Sequence, residues 1–378
     1  MANEKRATDN LCNMCRIDSP SLHEKEMRDY LVPLLTGMGA AVREDGAASI
    51  LGGNAGNLLA VFPETVSGAA SIAFAGHMDC VEVCEGVEPV VEKGIIHSAG
   101  ETILGADDKA GLAAILEGIQ SAKEEGIPHG RISLLITVHE EGGVHGSRVM
   151  DRDFLKGIDM AWVLDVNGEP GSICTAAVGQ DQMTLTMTGR AAHAGIEPEK
   201  GVSANEMMIH ALSGLKTGRL DEETTFNIGL LSGGRAVNIV PDHCEARLAS
   251  RSLKEEKMAV IAADLSARCR ETEAAYPGGK AEMVLHHMYH PFVMDGDAPV
   301  ITLAEEAIRK QGLSPRRFAS GGGSDANWYN RYGLPSVLLG IGMIGMHTNE
   351  EHISVKDLAL SADIVKGIIQ EAGRQRKA

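Results

Sequence analysis

Short apolar runs alternate with helical patterns along the first 180 residues of the chain. Apolar runs of strand length, bounded by Gly, Pro or charged residues, occupy positions 57–62, 71–75, 90–96 and 132–138. Apolar side chains recur at helical spacing in positions 10–17, 22–38 and 112–125. This alternation predicts an α/β sheet covered by helices on both faces.

The pattern changes between residues 180 and 290. Apolar and polar residues alternate at positions 182–188 and 244–250, as in antiparallel strands with one exposed face. Further strands are predicted at 225–230 and 283–287, and helices at 204–215 and 255–275. These elements describe a small α+β sandwich with an open sheet face.

The alternation of helical and strand patterns returns after residue 290, with helices predicted at 300–310 and 355–372 and an apolar strand at 336–341. An insertion explains this better than two consecutive domains. We therefore expect a discontinuous catalytic domain, 1–179 and 291–378, interrupted by a lid domain, 180–290.

Composition narrows the class of protein. The formal net charge of −17 argues against nucleic-acid or anionic-membrane partners, because binding to phosphates requires clustered Lys and Arg. No apolar run is long enough to span a membrane, and the start of the sequence lacks the apolar core of a signal peptide. Seven scattered Cys fit a reducing cytoplasm. Cys12 and Cys15 lie in a predicted amphipathic helix, so we interpret them as core thiols.

Acidic and imidazole side chains collect where the predicted strands end. His77 and Asp79 follow one strand, Glu140 and Glu141 another, and Asp165 ends a third apolar run. Two further groups are Asp107 with Asp108, in a turn before a helix, and His347, after a Gly-rich turn; ligands in open α/β sheets bind beyond the carboxyl ends of strands. Together they predict a mixed His and carboxylate site for zinc or a related divalent metal.

These residues resemble the pattern of the co-catalytic di-zinc exopeptidases, and most closely its peptidase T-like members. The resemblance rests on His77-Met-Asp, Gly105-Ala-Asp-Asp-Lys-Ala-Gly, Glu140-Glu-Gly, Asp165 and His347, and it covers nearly the whole chain. It implies a zinc-exopeptidase-like catalytic domain, a mixed sheet between helices, with an inserted α+β lid and dimerisation domain.

The resemblance also implies a role for each residue. Asp107 corresponds to the carboxylate that bridges two metal ions. His77 and Asp165 complete the shell of one ion, and Glu141 and His347 that of the other. Glu140 corresponds to the general base that activates a metal-bridged water. From the residues alone, either member of the Glu140–Glu141 pair could be the base.

The resemblance has two further implications, both for the geometry around these ligands. Asp79 corresponds to the carboxylate that holds His77 in one tautomer. The peptide bond after the bridging carboxylate, Asp107–Asp108 here, is cis in the family. One residue departs from the closest relatives: His139 stands where peptidase T has Asp, which leaves the ligands intact and bears on the pKa of the base.

The inserted domain contributes a second set of residues. His193, in Gly189-Arg-Ala-Ala-His-Ala-Gly, resembles the His that reaches the partner subunit's site and stabilises the oxyanion. Asn238 resembles a substrate-contacting Asn, and Arg251 an Arg that binds a substrate carboxylate. A structural role remains the alternative for all three. Residues 321–325 are Gly-rich but lack the Lys-Ser/Thr ending and the helix start of a phosphate-binding loop.

The sequence therefore predicts a cytoplasmic, homodimeric di-metal hydrolase that cleaves peptide bonds in short peptides as a tripeptide aminopeptidase does. Two divalent ions are expected, zinc first, with cobalt or manganese as alternatives. A dipeptidase, a carboxypeptidase and an N-acyl amino acid deacylase remain open on the same scaffold, because pocket shape decides between them. A metal-binding relative without turnover is the non-enzymatic alternative.

Overall fold

A computed structural model describes residues 1–82 and 84–375, and the chain divides into two compact units. The first unit contains Met1–Ala176, Val293–Ser320 and the chain from Ser324 onward. The second contains Ala177–Phe292 with Gly321–Gly323. Apart from the short segment Gly321–Gly323, the chain passes between units at 176/177 and 292/293, whereas the sequence predicts domain borders at 179/180 and 290/291.

The elements of the first unit alternate along the chain. Its helices are α1 Glu4–Cys15, α2 Lys25–Gly37, α3 Ala47–Leu51, α4 Ala106–Glu124, α5 His145–Val149, α8 Pro299–Lys310, α9 Asp325–Arg331 and α10 Val355–Arg374. Its strands are β1 Ala41–Glu44, β2 Leu58–Phe62, β3 Ile72–His77, β4 Pro89–Glu92, β5 Ile95–Ser98, β6 Ile132–Thr137, β7 Met160–Val163, β8 Ser172–Ala177, β14 Phe292–Val293, β15 Arg316–Ser320, β16 Ser336–Leu339 and β17 His352–Ser354; β8 and β14 cross the border between units.

The second unit is built on one antiparallel sheet. Its elements are β9 Gly179–Thr188, α6 Ala204–Leu212, β10 Gly218–Arg219, β11 Thr224–Gly233, β12 His243–Ser252, α7 Glu255–Ala275 and β13 Lys280–Tyr289. The strand order is β10-β11-β12-β9-β13. Alternate residues of these strands are buried against α6 and α7, and they form a hydrophobic core of their own.

The central sheet of the first unit is mixed, in the order β1-β2-β6-β3-β7-β16-β8-β14, with β15 beside β8. The middle strands β6, β3, β7 and β16 run parallel to one another. Every residue of β3, β6, β7 and β16 is buried, which requires cover on both faces of the sheet, as predicted. Helix α4 packs on β3, and α8 packs on β7 and β16.

Strong hydrophobic periodicity predicted most of the long elements, and the mixed α/β class is confirmed. The single run of strand length at 90–96 is instead a two-stranded hairpin, β4 and β5. A helix does begin at Asp325, with Ser324 as its N-cap, so the expectation of no helix start after the Gly-rich segment is wrong. Cys12 and Cys15 belong to the hydrophobic core, as predicted. Among the described residues, no helix is long and apolar enough to cross a membrane.

Candidate di-metal active site

Parallel strands bring the predicted ligands of the first unit together. His77 is the last residue of β3, and it pairs in register with Thr137, the last residue of β6. Glu140 and Glu141 follow Thr137 by three and four positions, and Asp165 follows the end of β7, the other neighbour of β3. One edge of the sheet therefore collects groups that lie far apart in sequence.

Asp107 lies between the two imidazoles. Its Oδ1 is 3.3 Å from His77 Nε2, and its Oδ2 is 3.1 Å from His347 Nε2. On the far side, Asp165 Oδ1 is 4.0 Å from His77 Nε2, and Glu141 Oε1 is 3.1 Å from His347 Nε2. The two oxygens of one carboxylate thus face two separate His and carboxylate pairs. The Asp107–Asp108 peptide bond is cis, as the resemblance implied.

The Asp79 side chain positions the loop that carries the two glutamates. Its Oδ1 accepts a hydrogen bond from Glu140 N at 3.0 Å, and its Oδ2 accepts one from Glu141 N at 3.1 Å and one from the Ser21 hydroxyl. His77 Nδ1 lies 2.9 Å from the backbone oxygen of Asp79 and 3.4 Å from its Oδ1. The backbone carbonyl therefore fixes the His77 tautomer, which leaves Nε2 free to bind a cation.

Burial makes this carboxylate-rich site unfavourable without cations. Burial raises the pKa of Glu140, Asp165 and Asp108 well above the ordinary carboxyl range. Burial acts in the same direction on Asp107, but His347 and His77 outweigh it and lower the pKa of that carboxyl. In residues 1–82 and 84–375, the ion pairs of Asp107, Glu141 and Asp165 are all with imidazoles.

Buried atoms that make no hydrogen bond indicate where cations fit in the cluster. His77 Nε2 and Asp107 Oδ1 are buried and have no hydrogen-bond partner, which is costly for polar atoms. Two groups of potential ligand atoms each lie within 4.8 Å of one another: His77 with Asp107 and Glu141, and His77 with Glu140 and Asp165. Imidazole and carboxylate ligands suit zinc and related first-row divalent ions. The donor set therefore fits the metal ions that the sequence implies.

Comparison with known proteins agrees with this geometry. The model of peptidase family M20/M25/M40 matches residues 73–371, which include every proposed ligand. The chain belongs to this peptidase family. It is 41% identical to the uncharacterized protein YqjE of Bacillus subtilis, over 99% of this chain and 100% of that protein. It is 26% identical to peptidase T of Limosilactobacillus fermentum, over 73% of this chain and 66% of that protein.

Solved structures extend the similarity to the whole fold of this M20-family chain. The aminopeptidase PepT of Bacillus cereus matches with a TM-score of 0.92 and 39% identity, covering 99% of this chain and 100% of that one. A tripeptidase of Staphylococcus aureus matches with a TM-score of 0.94 and 36% identity, at the same coverage. These matches confirm the recognition of a peptidase T-like protein and its mixed α/β fold.

Two further acidic residues lie beside the candidate site, and the sequence pattern did not predict them. The Glu351 carboxylate accepts hydrogen bonds from Gly105 N at 2.6 Å and Asp107 N at 3.1 Å, so it holds the backbone of the central carboxylate. Asp325 is fully buried and accepts a hydrogen bond from the Thr137 hydroxyl. Glu351 is an acidic residue only four positions after His347, which is a sequence signal for a role at the site. Its partners, however, are backbone groups about 245 positions away, and local spacing does not reveal such contacts.

His139, the residue that departs from peptidase T, packs beside the peptidase site. Its ring stacks on that of His145 with centroids 5.1 Å apart. Its backbone has φ of 50° and donates to Glu24 Oε1 at 3.0 Å. A Cβ on Gly142 would lie 2.0 Å from the ring, so the glycine leaves the space that the imidazole occupies.

The remaining predicted residues belong to the second unit. His193 is exposed, and its Nδ1 accepts a hydrogen bond from Gly195 N at 3.2 Å. Asn238 is exposed on the adjoining segment, where its backbone oxygen accepts from Ala194 N at 3.0 Å. Arg251, on β12, donates from Nη1 to Gly321 O at 3.0 Å. The three roles remain predictions.

Proposed function

We propose that this chain is a di-metal aminopeptidase that removes the N-terminal residue from short peptides, tripeptides above all. The observation that carries the proposal is the placement of Asp107, whose two carboxylate oxygens face His77 and His347 separately. That arrangement suits one carboxylate shared by two cations. The similarity to a PepT aminopeptidase and a tripeptidase along the whole chain supports the substrate class.

The ligands divide into two sets around Asp107. His77 and Asp165 would hold one cation, and Glu141 and His347 the other, with zinc as the first expectation and cobalt or manganese as alternatives. Divalent cations in such a site polarise the scissile carbonyl and make water a better nucleophile at neutral pH. Asp79 keeps Glu141 in place through its backbone N–H, and Glu351 does the same for Asp107.

Glu140 is assigned the proton transfers. It is 8% exposed, it lies within the ligand cluster, and its backbone is held by Asp79. Burial raises the pKa of its carboxyl, which matches a group that accepts a proton from the attacking water and returns it to the leaving amine. The Glu140 carboxyl lies as close to His77 and Asp165 as a third ligand would, so its role as the base rests on the family resemblance.

Residues of the second unit are assigned to substrate binding. Because Gly195 N donates to His193 Nδ1, the proton of a neutral His193 ring lies on Nε2, where it can be donated to an oxyanion. Arg251 suits a substrate carboxylate, and Asn238 suits a peptide group. We assign the second unit the part of a lid that closes on substrate.

The proposal is tested by hydrolysis of matched peptides before and after metal removal. We expect cleavage of tripeptides with a free α-amino group, loss of that activity after chelation, and recovery with Zn²⁺, Co²⁺ or Mn²⁺. Full activity in a chelated, metal-free sample would overturn the mechanism. Cleavage of N-acylated substrates alone would establish a deacylase instead, and preference for dipeptides or for C-terminal residues would establish a dipeptidase or a carboxypeptidase.

We also propose that the enzyme is a homodimer joined through the second unit. Strand β11 pairs with β10 over two residues only, and beyond them it is an edge strand. Leu230 and Leu231 on this strand are 61% and 59% exposed, and Ile209 of α6 nearby is 68% exposed. A groove of about 540 Å³ lies between α6 and β11. Sedimentation should give twice the chain mass of 40.0 kDa, and Leu230→Glu with Leu231→Glu should give the monomer. A monomeric wild-type protein would contradict the proposal.

The cytoplasm is the compartment that we propose for the enzyme. All seven cysteines are unpaired and buried, which fits a reducing environment. Fractionation of cells that produce the protein should recover it with cytoplasmic markers, whereas recovery with extracellular or membrane markers would contradict this assignment.

A further inference from the structure

Three of the seven cysteines, Cys15, Cys80 and Cys84, lie around the buried ammonium group of Lys109, beside the proposed metal ligands. Cys15 Sγ lies 3.9 Å from Gly105 O, and Cys80 Sγ lies 3.9 Å from the Ser19 hydroxyl. Lys109 is fully buried, and its Nζ donates to Ile17 O at 2.8 Å. The thiols of Cys80 and Cys84 pack together in a small cluster with Ile103.

This thiol pair lies on the wall of the active-site cleft. Cys80 and Cys84 line a cavity of about 870 Å³ in the first unit, and Glu141 and Gly142 line the same cavity. Each of the two residues is no more than 1% exposed, so the thiol pair lies just beneath the wall of this cavity.

The surroundings of Cys84 favour its thiolate. The neighbouring thiol of Cys80 is the main contribution, and the charge of Lys109 and the backbone N–H of Ser19 act in the same direction against burial, so the pKa of Cys84 falls to about 7. Burial instead raises the pKa of Cys174, to about 11. Cys84 thus differs from an ordinary core thiol in its neighbours.

We propose that Cys84 and Cys80 form a modification site: a hydroperoxide oxidises the pair to a disulfide, and this oxidation lowers turnover at the metal site. The thiolate of Cys84 attacks one peroxide oxygen, the O–O bond breaks, and the released oxygen leaves as water or an alcohol once protonated. The thiol sulfur of Cys80 then attacks the sulfenic sulfur of Cys84, the S–O bond breaks, and the hydroxide leaves as water with the proton of the Cys80 thiol. Two electrons pass from the thiols to the peroxide.

The loop between the two thiols transmits the change to the site. Cys80 follows Asp79 directly, and its backbone is fixed by a hydrogen bond from its N–H to Ser19 O at 2.9 Å. The far end of the loop is fixed as well, because Gly86 N donates to Asp18 Oδ1 at 2.9 Å. Bringing the sulfurs from contact to a bond of ~2.05 Å therefore moves a loop held at both ends. Asp79 directly precedes Cys80 in the chain, and its carboxylate holds Glu140 N and Glu141 N.

Peptide mapping tests the site without reference to activity. Between Arg43 and Lys93 the chain has no Lys or Arg, so trypsin releases residues 44–93, which contain Cys80 and Cys84 and no other Cys. After brief treatment of the metal-loaded protein with hydrogen peroxide and alkylation of free thiols, we expect this peptide unalkylated and lighter by two hydrogens. Cys84→Ser should abolish the product, and Cys80→Ser should leave a sulfenic acid that dimedone labels at Cys84.

Cys174→Ser provides the matched control, a buried thiol of the same unit outside the cluster. It should form the disulfide as the wild type does. Retention of both thiols in the 44–93 peptide while other cysteines oxidise would overturn the site. The proposal would also fail if Cys80 and Cys84 oxidised no faster in the folded protein than in the unfolded chain.

The consequence for turnover rests on the proposed peptidase function. Hydrolysis of a tripeptide should fall several-fold in step with disulfide formation, recover with dithiothreitol, and stay constant in peroxide-treated Cys84→Ser relative to its own untreated sample. Complete disulfide formation with unchanged turnover would overturn the regulatory part. If the untreated protein cleaves no peptide, the proposed function fails, whereas the disulfide is still scored by mass.

Discussion

At the scale of single residues, Glu140 separates proton transfer from metal binding. Glu140→Gln keeps the volume and the backbone bond to Asp79 but removes the proton acceptor. We expect kcat for a tripeptide to fall by about 10²–10⁴-fold, as for loss of a general base, while the protein still binds two metal equivalents. Elemental analysis and steady-state kinetics measure both quantities.

Glu141→Gln is the matched comparison for this prediction. It changes the neighbouring residue, whose Oε1 lies 3.1 Å from His347 Nε2, so it should lower metal content together with activity. The assignment of roles would be reversed if Glu140→Gln lost a metal equivalent and Glu141→Gln kept both.

Glu24 is a second residue with a measurable pH signature. It is fully buried, Oε1 accepts from Leu22 N and His139 N, and Oε2 has no partner. Burial and then Asp79 raise its pKa from the ordinary 4.5 to about 7. Because the folded state binds this proton more tightly than the unfolded state, stability is lost as pH rises from 4.5 towards 7.

Glu24→Gln should therefore be more stable than the wild type at pH 8, by up to about 3 kcal/mol, and should lose this advantage at pH 5. The amide oxygen can still accept the two backbone hydrogen bonds. Urea unfolding at both pH values measures the difference. Glu26→Gln, an exposed neighbour on α2, should show no such dependence, and a pH-independent effect of Glu24→Gln would contradict the shifted pKa.

At the scale of elements, the packing of α4 against α10 depends on a glycine. A Cβ on Gly118 would lie 2.5 Å from Val365 Cγ1 and 2.8 Å from Ala362 O, so the two helices approach too closely for a larger residue. Gly118→Ala should destabilise the fold by about 1–3 kcal/mol through overpacking, although alanine favours a helix by up to ~1 kcal/mol.

Gly37 in α2 gives the control for that prediction, because a Cβ there would have no atom within 4 Å. Gly37→Ala should be neutral or slightly stabilising. Chemical denaturation of both variants measures the contrast. Stabilisation by Gly118→Ala would mean that α4 and α10 can separate without cost.

Elements with a strong period were predictable, whereas elements defined by their partners were not. The run at 132–138 predicted β6, Ile132–Thr137, because a fully buried strand consists of consecutive apolar residues. The edge strand β1, Ala41–Glu44, is mostly exposed and was missed, because its only clear signal is pairing with β2. Similarly, Glu351 and Asp325 were missed because distant groups define their roles, while ligands at strand ends follow from strand order.

At the scale of the whole molecule, the two units have separate hydrophobic cores. One core surrounds the central sheet and the helices α4, α8 and α10; the other lies between the antiparallel sheet and the helices α6 and α7. All proposed metal ligands belong to the first unit. Metal binding should therefore stabilise one core directly and leave the other without a ligand of its own.

Calorimetry of metal-loaded and chelated protein tests this division. A cation at a thousand times its dissociation constant stabilises the folded state by ~4 kcal/mol, so chelation should lower one melting transition by several degrees. The transition of the second unit should stay in place, since its core contains none of the ligands. Asp107→Asn should make both transitions insensitive to added zinc, because the carboxylate that faces both imidazoles is lost. A single transition that moves as a whole would show that the two units unfold together.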